Sequence, residues 1–231
     1  MSHPERPEQS AQRAGASASS LFMNNLQTAT LGMGCFWSPE ALFGHLPGVN
    51  GTRVGYAGGT SAKPTYRQMG DHTETVQIEF DPAIIPFEDI LHVFWNNHNP
   101  LNINDYKGRQ YRSLLLAHDQ KQQDSIQHVL ELRKEQGKGV PETEIAPYKD
   151  FHPAEDHHQK YYLKRFPDAM EKLSTLYPAQ DDLIDSTLAA RLNGLAKGFT
   201  NLERINNEIH QWPLSLNEQD SMINLIKHIR W

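Results

Sequence analysis

The stretch GMGCFWSPE, residues 32–40, contains the only cysteine of the chain and marks the point where an extended segment becomes a helix. Residues 27–33 carry threonine and leucine in loose alternation, which favours a strand, and two glycines allow a tight turn behind it. Pro39 is accepted in a first helical turn, and apolar residues at helical spacing follow it. The sequence therefore predicts a strand, a turn at Cys35 and a helix.

A cysteine at the start of a helix can be reactive or inert. Unpaired backbone amides and the helix dipole favour an anion there, so we expect a lowered pKa of the Cys35 thiol and a nucleophilic sulfur. Free cysteine is also among the most frequently buried residue types and often acts as a small hydrophobe. Phe36 and Trp37 could build an apolar pocket beside the sulfur, but aromatic residues are common in cores as well. Position alone leaves both interpretations open.

The composition is that of a soluble protein with one principal domain: 231 residues, 38% of them hydrophobic and 22% charged. The net charge of −6 and the lack of a basic run argue against nucleic-acid binding. No apolar run reaches the roughly 20 residues of a membrane helix. The N-terminus also lacks the hydrophobic core of a signal peptide, so we expect a cytoplasmic protein. With one cysteine there is no internal disulfide, which fits a reducing compartment and a free thiol. We also expect a monomer.

Residues 1–24 are predicted to form a flexible arm, because the first twenty contain no aromatic or branched aliphatic side chain that could offset the entropy of ordering. A mitochondrial transit peptide is the alternative. Glu5, Glu8 and the absence of an amphipathic apolar face argue against it.

The remaining pattern predicts strands and helices in the order β-α-β-β-α-β-α-β up to residue 147. This order is mixed and does not alternate strictly. The predicted fold class is therefore α+β: a mixed β-sheet with helices packed on it, in a two-layer, ferredoxin-like sandwich, followed by a C-terminal helical extension.

Glu74 stands out on the strand predicted over Thr73–Phe80. Val76, Ile78 and Phe80 share one face, and Glu74 has the same parity. A carboxyl group that points to the apolar side would hold its proton more readily and could serve as a general acid. If the strand begins at this residue, however, the carboxyl group would be exposed to solvent.

A second polar cluster, HPAEDHH over residues 152–158, raises the question of a metal site. Its spacing does not match His-Glu-x-x-His, and no cysteine is near it in sequence. An acid-rich helix start explains the carboxylates more simply. We therefore predict no metal.

Six blocks along residues 27–166 together resemble the peptide methionine sulfoxide reductase family, A type. GCFW followed three residues later by glutamate is highly specific, and the blocks occur in the family order. They are GCFWSPEALFGHLPGV, GYAGG with Pro64-Thr65-Tyr66, Glu74 on its strand, FWNNHNP, QYRS and EDHHQKY.

The resemblance implies a reaction. The thiolate of Cys35 would attack the sulfoxide sulfur, Glu74 would protonate the departing oxygen, and the hydroxyls of Tyr66 and Tyr111 would hold that oxygen. Methionine would be released and Cys35 left as a sulfenic acid. Such enzymes act on the S epimer, free or in proteins, and require no metal or organic cofactor.

The resemblance also implies a substrate-binding set. Phe36 and Trp37 would cradle the methyl group, and Asp105 and His158 would contact the rest of the substrate. Asp105 lies six residues before Tyr111, whereas five is usual, and the block MGDHTE before the acid is shorter than usual. The loop that carries Tyr66 is therefore expected to differ in shape.

Regeneration of the thiol must use an outside partner, because the resolving cysteines that many members carry are missing. Thioredoxin, glutaredoxin or glutathione would serve as the reductant. We expect a catalytic domain over residues 25–180. The helical extension over residues 181–231 would be either packing for stability or a lid or docking surface for the reductant.

Two other functions are compatible with a reactive cysteine. A thiol hydrolase could use His72, His157 or His158 as its base and would form an acyl-enzyme. A binding module could retain the pocket for oxidised methionine and leave it unreduced.

Overall fold

The computed structural model describes residues 25–231, and the arm predicted over residues 1–24 lies outside them. One sheet of six strands forms the centre of this part of the chain, in the order β5-β4-β1-β3-β2-β6. Neighbouring strands are antiparallel except β4 and β5, which are parallel. The strands are β1 Gln27–Met33, β2 Val49–Ala57, β3 Thr73–Phe80, β4 Ser113–Ala117, β5 Glu144–Pro147 and β6 Phe151–Pro153.

Eight α-helices accompany the sheet within the described residues. Three short 3-10 turns, at Arg109–Tyr111, Asp156–His158 and Leu163–Arg165, complete the regular structure. The helices are α1 Trp37–Gly44, α2 Phe87–Asn96, α3 Gln120–Glu135, α4 Pro167–Leu173, α5 Gln180–Asp185, α6 Thr187–Lys197, α7 Leu202–Ile209 and α8 Leu216–Lys227.

The predicted α+β class is confirmed, as is the predicted order of elements up to β5. The finer prediction of a two-layer, ferredoxin-like sandwich is not confirmed. The four central strands run β4-β1-β3-β2, but β5 and β6 extend the sheet at both edges. The sequence did not reveal β6, because three residues are too few to show an alternating pattern.

The main core lies between one face of the sheet and helices α1, α2 and α3. Alternate residues of β1 and β3 face it, including Leu31, Val76 and Ile78, each with a fully buried side chain. The other face of β4 carries Leu114 and Leu116 in a smaller cluster, so this strand is covered on both sides as its continuous apolar run predicts.

A second hydrophobic core is built from residues of 163–229 and joins the C-terminal helices to one another. Helix α6 of this core packs against α1, the helix that follows Cys35. A Cβ atom on Gly44 would lie 2.9 Å from the Ala190 carbonyl oxygen, and one on Gly194 would lie 2.5 Å from the Cβ of His45. Glycine at both positions therefore permits the close approach of the two helices.

Arg191 of α6 fixes the same junction by polar contacts. Its buried guanidinium donates two hydrogen bonds from Nε and Nη2 to the Glu208 carboxylate and one from Nη1 to the Gly44 carbonyl oxygen. A planar guanidinium suits such a bidentate contact. The end of α1 is therefore tied to both α6 and α7. Over residues 25–231, none of the helices has the length and apolar character needed to span a membrane.

Candidate active site

Cys35 is half-buried and lies directly before α1, whose N-cap residue is Phe36. Burial is the largest influence on the thiol and raises its pKa to about 11. The backbone N–H of Trp37 donates a hydrogen bond to the sulfur and opposes this rise, while the negative charge of Glu74 adds to it. The predicted lowering of the thiol pKa is therefore wrong, because desolvation outweighs the helix start.

Glu74 on β3 is 1% exposed, so the burial expected from strand parity is confirmed. Its Oε2 accepts a hydrogen bond of 3.1 Å from the Phe36 N–H, the residue next to the cysteine. Its Oε1 accepts one of 2.6 Å from Nε2 of Gln110. Burial raises the pKa of this carboxyl, and the two donors only partly offset that rise. The side chain is thus a buried acid held next to Cys35.

Three tyrosines gather beside these two groups. Burial raises the pKa of Tyr111, and the hydrogen bond between its hydroxyl and Tyr66 adds to the rise. The ring of Tyr106 stacks on that of Tyr111 with 4.6 Å between centroids. The Cys35 thiolate, when it forms, would raise the pKa of Tyr106 by its charge, which places this ring near the sulfur as well. Tyr106 falls in the segment where the spacing before Tyr111 departs from the family pattern, and no motif singled it out.

An aromatic wall continues from Phe36 and Trp37. Phe36 is 1% exposed, and its ring centroid lies 5.3 Å from that of His158. Trp37 is half-buried and stacks on Tyr161 with 3.8 Å between centroids and 5° between planes. Tyr161 belongs to the EDHHQKY block, but nothing in the sequence singled it out for this contact.

His158 is buried in this wall, and one of its ring nitrogens has no hydrogen-bond partner among the described residues. Its Nδ1 accepts a hydrogen bond of 3.3 Å from Nε1 of Trp37. Burial lowers the pKa of the imidazole, so the ring is neutral at neutral pH and its proton must be on Nε2. That Nε2 is buried without a hydrogen-bond partner among the described residues. It can therefore donate to an acceptor that enters the pocket.

Asp105 is the predicted site residue that the structure does not tie to the others. It is exposed, has a positive φ of 60°, and exchanges two hydrogen bonds with Asn102 of its own loop, at 2.8 and 2.9 Å. None of the hydrogen bonds of the described residues joins it to Cys35 or Glu74. Its neighbour Tyr106, and not Asp105, lies near Cys35 and stacks on Tyr111.

The loop that carries Tyr66 is anchored by residues of the unusual MGDHTE block. The Asp71 carboxylate accepts hydrogen bonds from the backbone and hydroxyl groups of Thr60 and Ser61. Arg109 donates to the Asp71 and Gly58 carbonyl oxygens and pairs with Glu144 of β5 through two hydrogen bonds. Arg109 directly precedes Gln110 and Tyr111, so these contacts also hold the turn that presents them.

The three histidines proposed as a hydrolase base make no hydrogen bond to Cys35 in the described part of the chain. Both ring nitrogens of His72 are occupied, by the Gly59 N–H and the Ser61 carbonyl oxygen. His157 is exposed. Across residues 25–231, no three His, Cys, Asp or Glu side chains group closely enough to hold a metal ion.

A buried ion pair joins the helix after Cys35 to the segment that follows His158. Glu40 and Lys160 are both fully buried, with 2.8 Å between Oε1 and Nζ. The Lys160 N–H donates to the other Glu40 oxygen, and its Nζ also donates to the Thr52 carbonyl oxygen. Glu40 is the glutamate of the GCFW block, and the pair explains why a carboxylate can be buried there.

Replacing Lys160 with methionine is expected to lower the free energy of unfolding by about 3–5 kcal/mol, because it leaves the Glu40 charge buried and unpaired. Urea unfolding followed by circular dichroism measures this. The double variant Glu40→Gln with Lys160→Met is the matched control, since it removes both charges, and we expect it to recover part of the loss. Equal stability of the single and double variants would contradict this account.

Comparison with known proteins agrees with this geometry. The family model described as peptide methionine sulfoxide reductase matches residues 27–190. A peptide methionine sulfoxide reductase of Drosophila melanogaster is 46% identical over 184 residues, which are 78% of this chain and 72% of that protein. Peptide methionine sulfoxide reductase A5 of Oryza sativa is 39% identical over 216 residues, covering 87% of this chain and 82% of that protein.

Two solved structures share the fold. Methionine sulfoxide reductase A of Corynebacterium diphtheriae has a TM-score of 0.54 and 31% identity, covering 66% of this chain and 81% of that one. Mxr1 of Saccharomyces cerevisiae in reduced form has a TM-score of 0.56 and 28% identity, covering 62% of this chain and 87% of that one. This chain therefore belongs to the peptide methionine sulfoxide reductase family, A type, and is an oxidoreductase that acts on methionine sulfoxide.

Proposed function

We propose that Cys35 is the nucleophile and that it attacks the sulfur of methionine-S-sulfoxide, free or in oxidised proteins. The observation that carries this proposal is the hydrogen bond of 3.1 Å between the Phe36 N–H and Glu74, which holds a buried acid beside the only cysteine. Sulfur of the substrate is reduced to the thioether of methionine, and Cys35 is oxidised to a sulfenic acid.

Proton movement in this step falls to Glu74. The overall change converts a sulfoxide and a thiol into a thioether and a sulfenic acid, and it consumes no net proton. At neutral pH the Cys35 proton is on sulfur, because burial raises the thiol pKa. Glu74 is close enough for its charge to act on that thiol, and its own pKa is raised by burial, so it can protonate the sulfoxide oxygen as sulfur attacks. The carboxylate that this leaves would take up the proton that the Cys35 thiol loses, so the step balances.

Hydroxyl groups on the exposed side would hold the sulfoxide oxygen. Tyr66 and Tyr111 are hydrogen-bonded to each other, and a substrate oxygen would exchange that bond for two donated ones. Tyr106, stacked on Tyr111, would support the ring from outside. Gln110 keeps the acid in position through its 2.6 Å hydrogen bond.

The aromatic wall would set the substrate's orientation. Phe36 and Trp37 would enclose the methyl group, and Nε2–H of His158 would donate to a carbonyl oxygen of the substrate backbone. With the oxygen and methyl positions both defined, only the S epimer would present its sulfur to Cys35. Asp105 makes no hydrogen bond to this wall in the described part of the chain and would contribute only if its loop moved.

Regeneration would use a thiol from outside the chain, since Cys35 is the only cysteine. Thioredoxin, glutaredoxin and glutathione are all chemically able to reduce a sulfenic acid. The enzyme would act as a monomer in the cytoplasm in the repair of oxidised proteins. Residues 25–180 would form the catalytic domain and residues 181–231 the extension.

A reaction without reductant tests the proposal. Reduced protein mixed with a methionine-S-sulfoxide peptide is expected to release one methionine per chain and then stop, with a sulfenic acid at Cys35 detectable by a dimedone adduct in mass spectrometry. The R epimer is the control and is expected to give no burst. Absence of a burst with the S epimer, or turnover that leaves Cys35 as a thiol, would contradict the mechanism.

The alkylation rate of Cys35 is expected to keep increasing with pH towards about 11, because burial holds the proton on sulfur below that value. The thiolate fraction, and with it the rate, would increase about tenfold per pH unit until the pKa is approached. Iodoacetamide labelling followed by mass spectrometry measures the profile. The Glu74→Gln variant removes a negative charge near the sulfur, so its profile is expected to shift to lower pH. A plateau at or below the ordinary thiol value of 9.0 would contradict this prediction.

A further inference from the structure

Cys35 also lines a small cavity, of about 230 Å³, whose lining differs from the aromatic wall. None of Phe36, Trp37, Tyr66, Glu74 or Tyr111 contributes to its lining. Besides Ser38 of α1, its polar lining comes from the loop after α2, namely Asn97, His98, Asn99, Asn102 and Asn104. Cys35 therefore borders a space whose lining contains neither the acid nor these two tyrosines.

A separate route to Cys35 matters for the second half of the reaction, in which a thiol reduces the sulfenic acid. A thiolate displaces the oxygen of a sulfenic acid by attacking sulfur, and such displacements proceed from the side opposite the departing group. In the proposed mechanism that oxygen lies towards Glu74 and the tyrosines. The asparagine-lined cavity reaches the sulfur without involving any of those residues. It therefore offers a reducing thiol a route to Cys35 that is separate from the proposed oxygen site.

The wall of this cavity suits a small peptide-like molecule. Its described lining contains no carboxylate, lysine or arginine. Both ring nitrogens of His98 are occupied, by the Phe94 carbonyl oxygen and Ser113, and burial lowers the pKa of this imidazole, so it is uncharged. The amide of Asn104 and Nδ2 of Asn99 make no hydrogen bond to a described residue. Amide groups of this kind can pair with peptide and carboxylate groups.

Size argues in the same direction. Pockets for drug-sized ligands measure about 300–1,000 Å³, and this cavity lies below that range. It can admit a cysteinyl side chain with its flanking peptide groups. The surface around the active-site dithiol of a folded protein could not enter it. A low-molecular-weight thiol fits this space better than a protein reductant does.

Phe199 contributes to the cavity from the C-terminal helices, beyond the residues that the family model matches. Gly198 ends α6 with a φ of 92°, and the Phe199 N–H then donates to the Gly194 carbonyl oxygen. This turn brings the Phe199 ring back onto His45, with 5.6 Å between centroids. The extension therefore supplies part of a wall beside Cys35.

We propose that this cavity is the entry site for a low-molecular-weight peptide thiol of the glutathione class, with Phe199 and Asn104 as binding residues. The inference rests on the proposed function of Cys35. The thiolate attacks the sulfur of the Cys35 sulfenic acid and water leaves, which gives a mixed disulfide. A second thiol attacks the sulfur of the bound thiol, releasing its disulfide and restoring the Cys35 thiol, so two thiols supply the two electrons.

The test separates methionine formation from regeneration. The full chain is first oxidised with methionine-S-sulfoxide in the absence of reductant, and the methionine burst is recorded. Substrate is then removed, glutathione is added, and the return of the Cys35 thiol is followed over time. The variants are Phe199→Ala and Asn104→Gly; glycine accepts the positive φ of 52° at residue 104 without strain. Leu216→Ala, an exposed apolar residue of the same extension, is the matched control.

We expect both cavity variants to give the normal burst and to regenerate about tenfold more slowly with glutathione, the scale of losing one well-packed contact. The Leu216→Ala protein is expected to match the unchanged chain. Equal glutathione rates in all four proteins, or regeneration by thioredoxin with none by glutathione, would overturn the inference. A missing burst in the unchanged chain would instead refute the proposed function.

Discussion

Replacing Cys35 with serine is expected to lower the rate of methionine formation by at least about 10⁴-fold, the scale seen when a catalytic nucleophile is removed. The hydroxyl of serine is a far weaker nucleophile than sulfur and forms no sulfenic acid. No other cysteine can substitute for it. Single-turnover measurement of methionine release, with an excess of protein over sulfoxide peptide, gives the rate directly.

The fold is expected to survive this change, because serine is close to cysteine in volume and the site is only half-buried. Urea unfolding of the variant would show a change within about 1.5 kcal/mol. Binding of the sulfoxide peptide, measured by calorimetry, is expected to persist as well. Methionine release by the folded serine variant at the original rate would rule out Cys35 as the nucleophile.

Replacing Glu74 with glutamine is expected to slow methionine formation by about 10²–10⁴-fold, the range typical of a general acid, while the affinity for substrate changes much less. Glutamine preserves the size of the side chain and can still accept from the Phe36 N–H, but it has no proton to give. The interaction that it loses belongs to the transition state. Single-turnover rates at several substrate concentrations separate the two effects.

Glu79→Gln is the matched control, since this residue lies on the same strand but is exposed on its outward side. We expect the Glu79→Gln protein to form methionine at the normal rate. If the Glu74→Gln protein lost affinity and kept its rate constant, Glu74 would be a binding group. If both variants were equally slow, the effect would come from the strand and not from the acid.

Much of the catalytic core could be predicted because its signals are local. The alternation over β3 placed Glu74 on the buried side, and the continuous apolar run of β4 indicated a strand covered on both faces. The specific block around Cys35 indicated the family that the comparisons establish. Each of these signals depends on residues a few positions apart, and periodicity or motif spacing reports them directly.

Other features depend on segments that are distant along the chain. Gln110 reaches Glu74 across 36 positions, and Lys160 reaches Glu40 across 120. No local sequence pattern predicts either pairing, although Gln110 belongs to the QYRS block and Lys160 to the EDHHQKY block. The extra strand β6 and the approach of α6 to α1 are likewise set by packing between remote segments.

The sequence by itself determined that this chain has a single cysteine, which the GMGCFW stretch places between a strand and a helix, and the six blocks together determined the family. Only the tertiary structure decided how acidic that cysteine is, because desolvation depends on every segment packed around the sulfur, and here it raises the pKa against the helix start. It also decided that Phe199, from beyond the family match, lines the same cavity as Cys35. A helical pattern predicts which residues of an extension are apolar, whereas the cavity that they reach is set by where the whole helix packs.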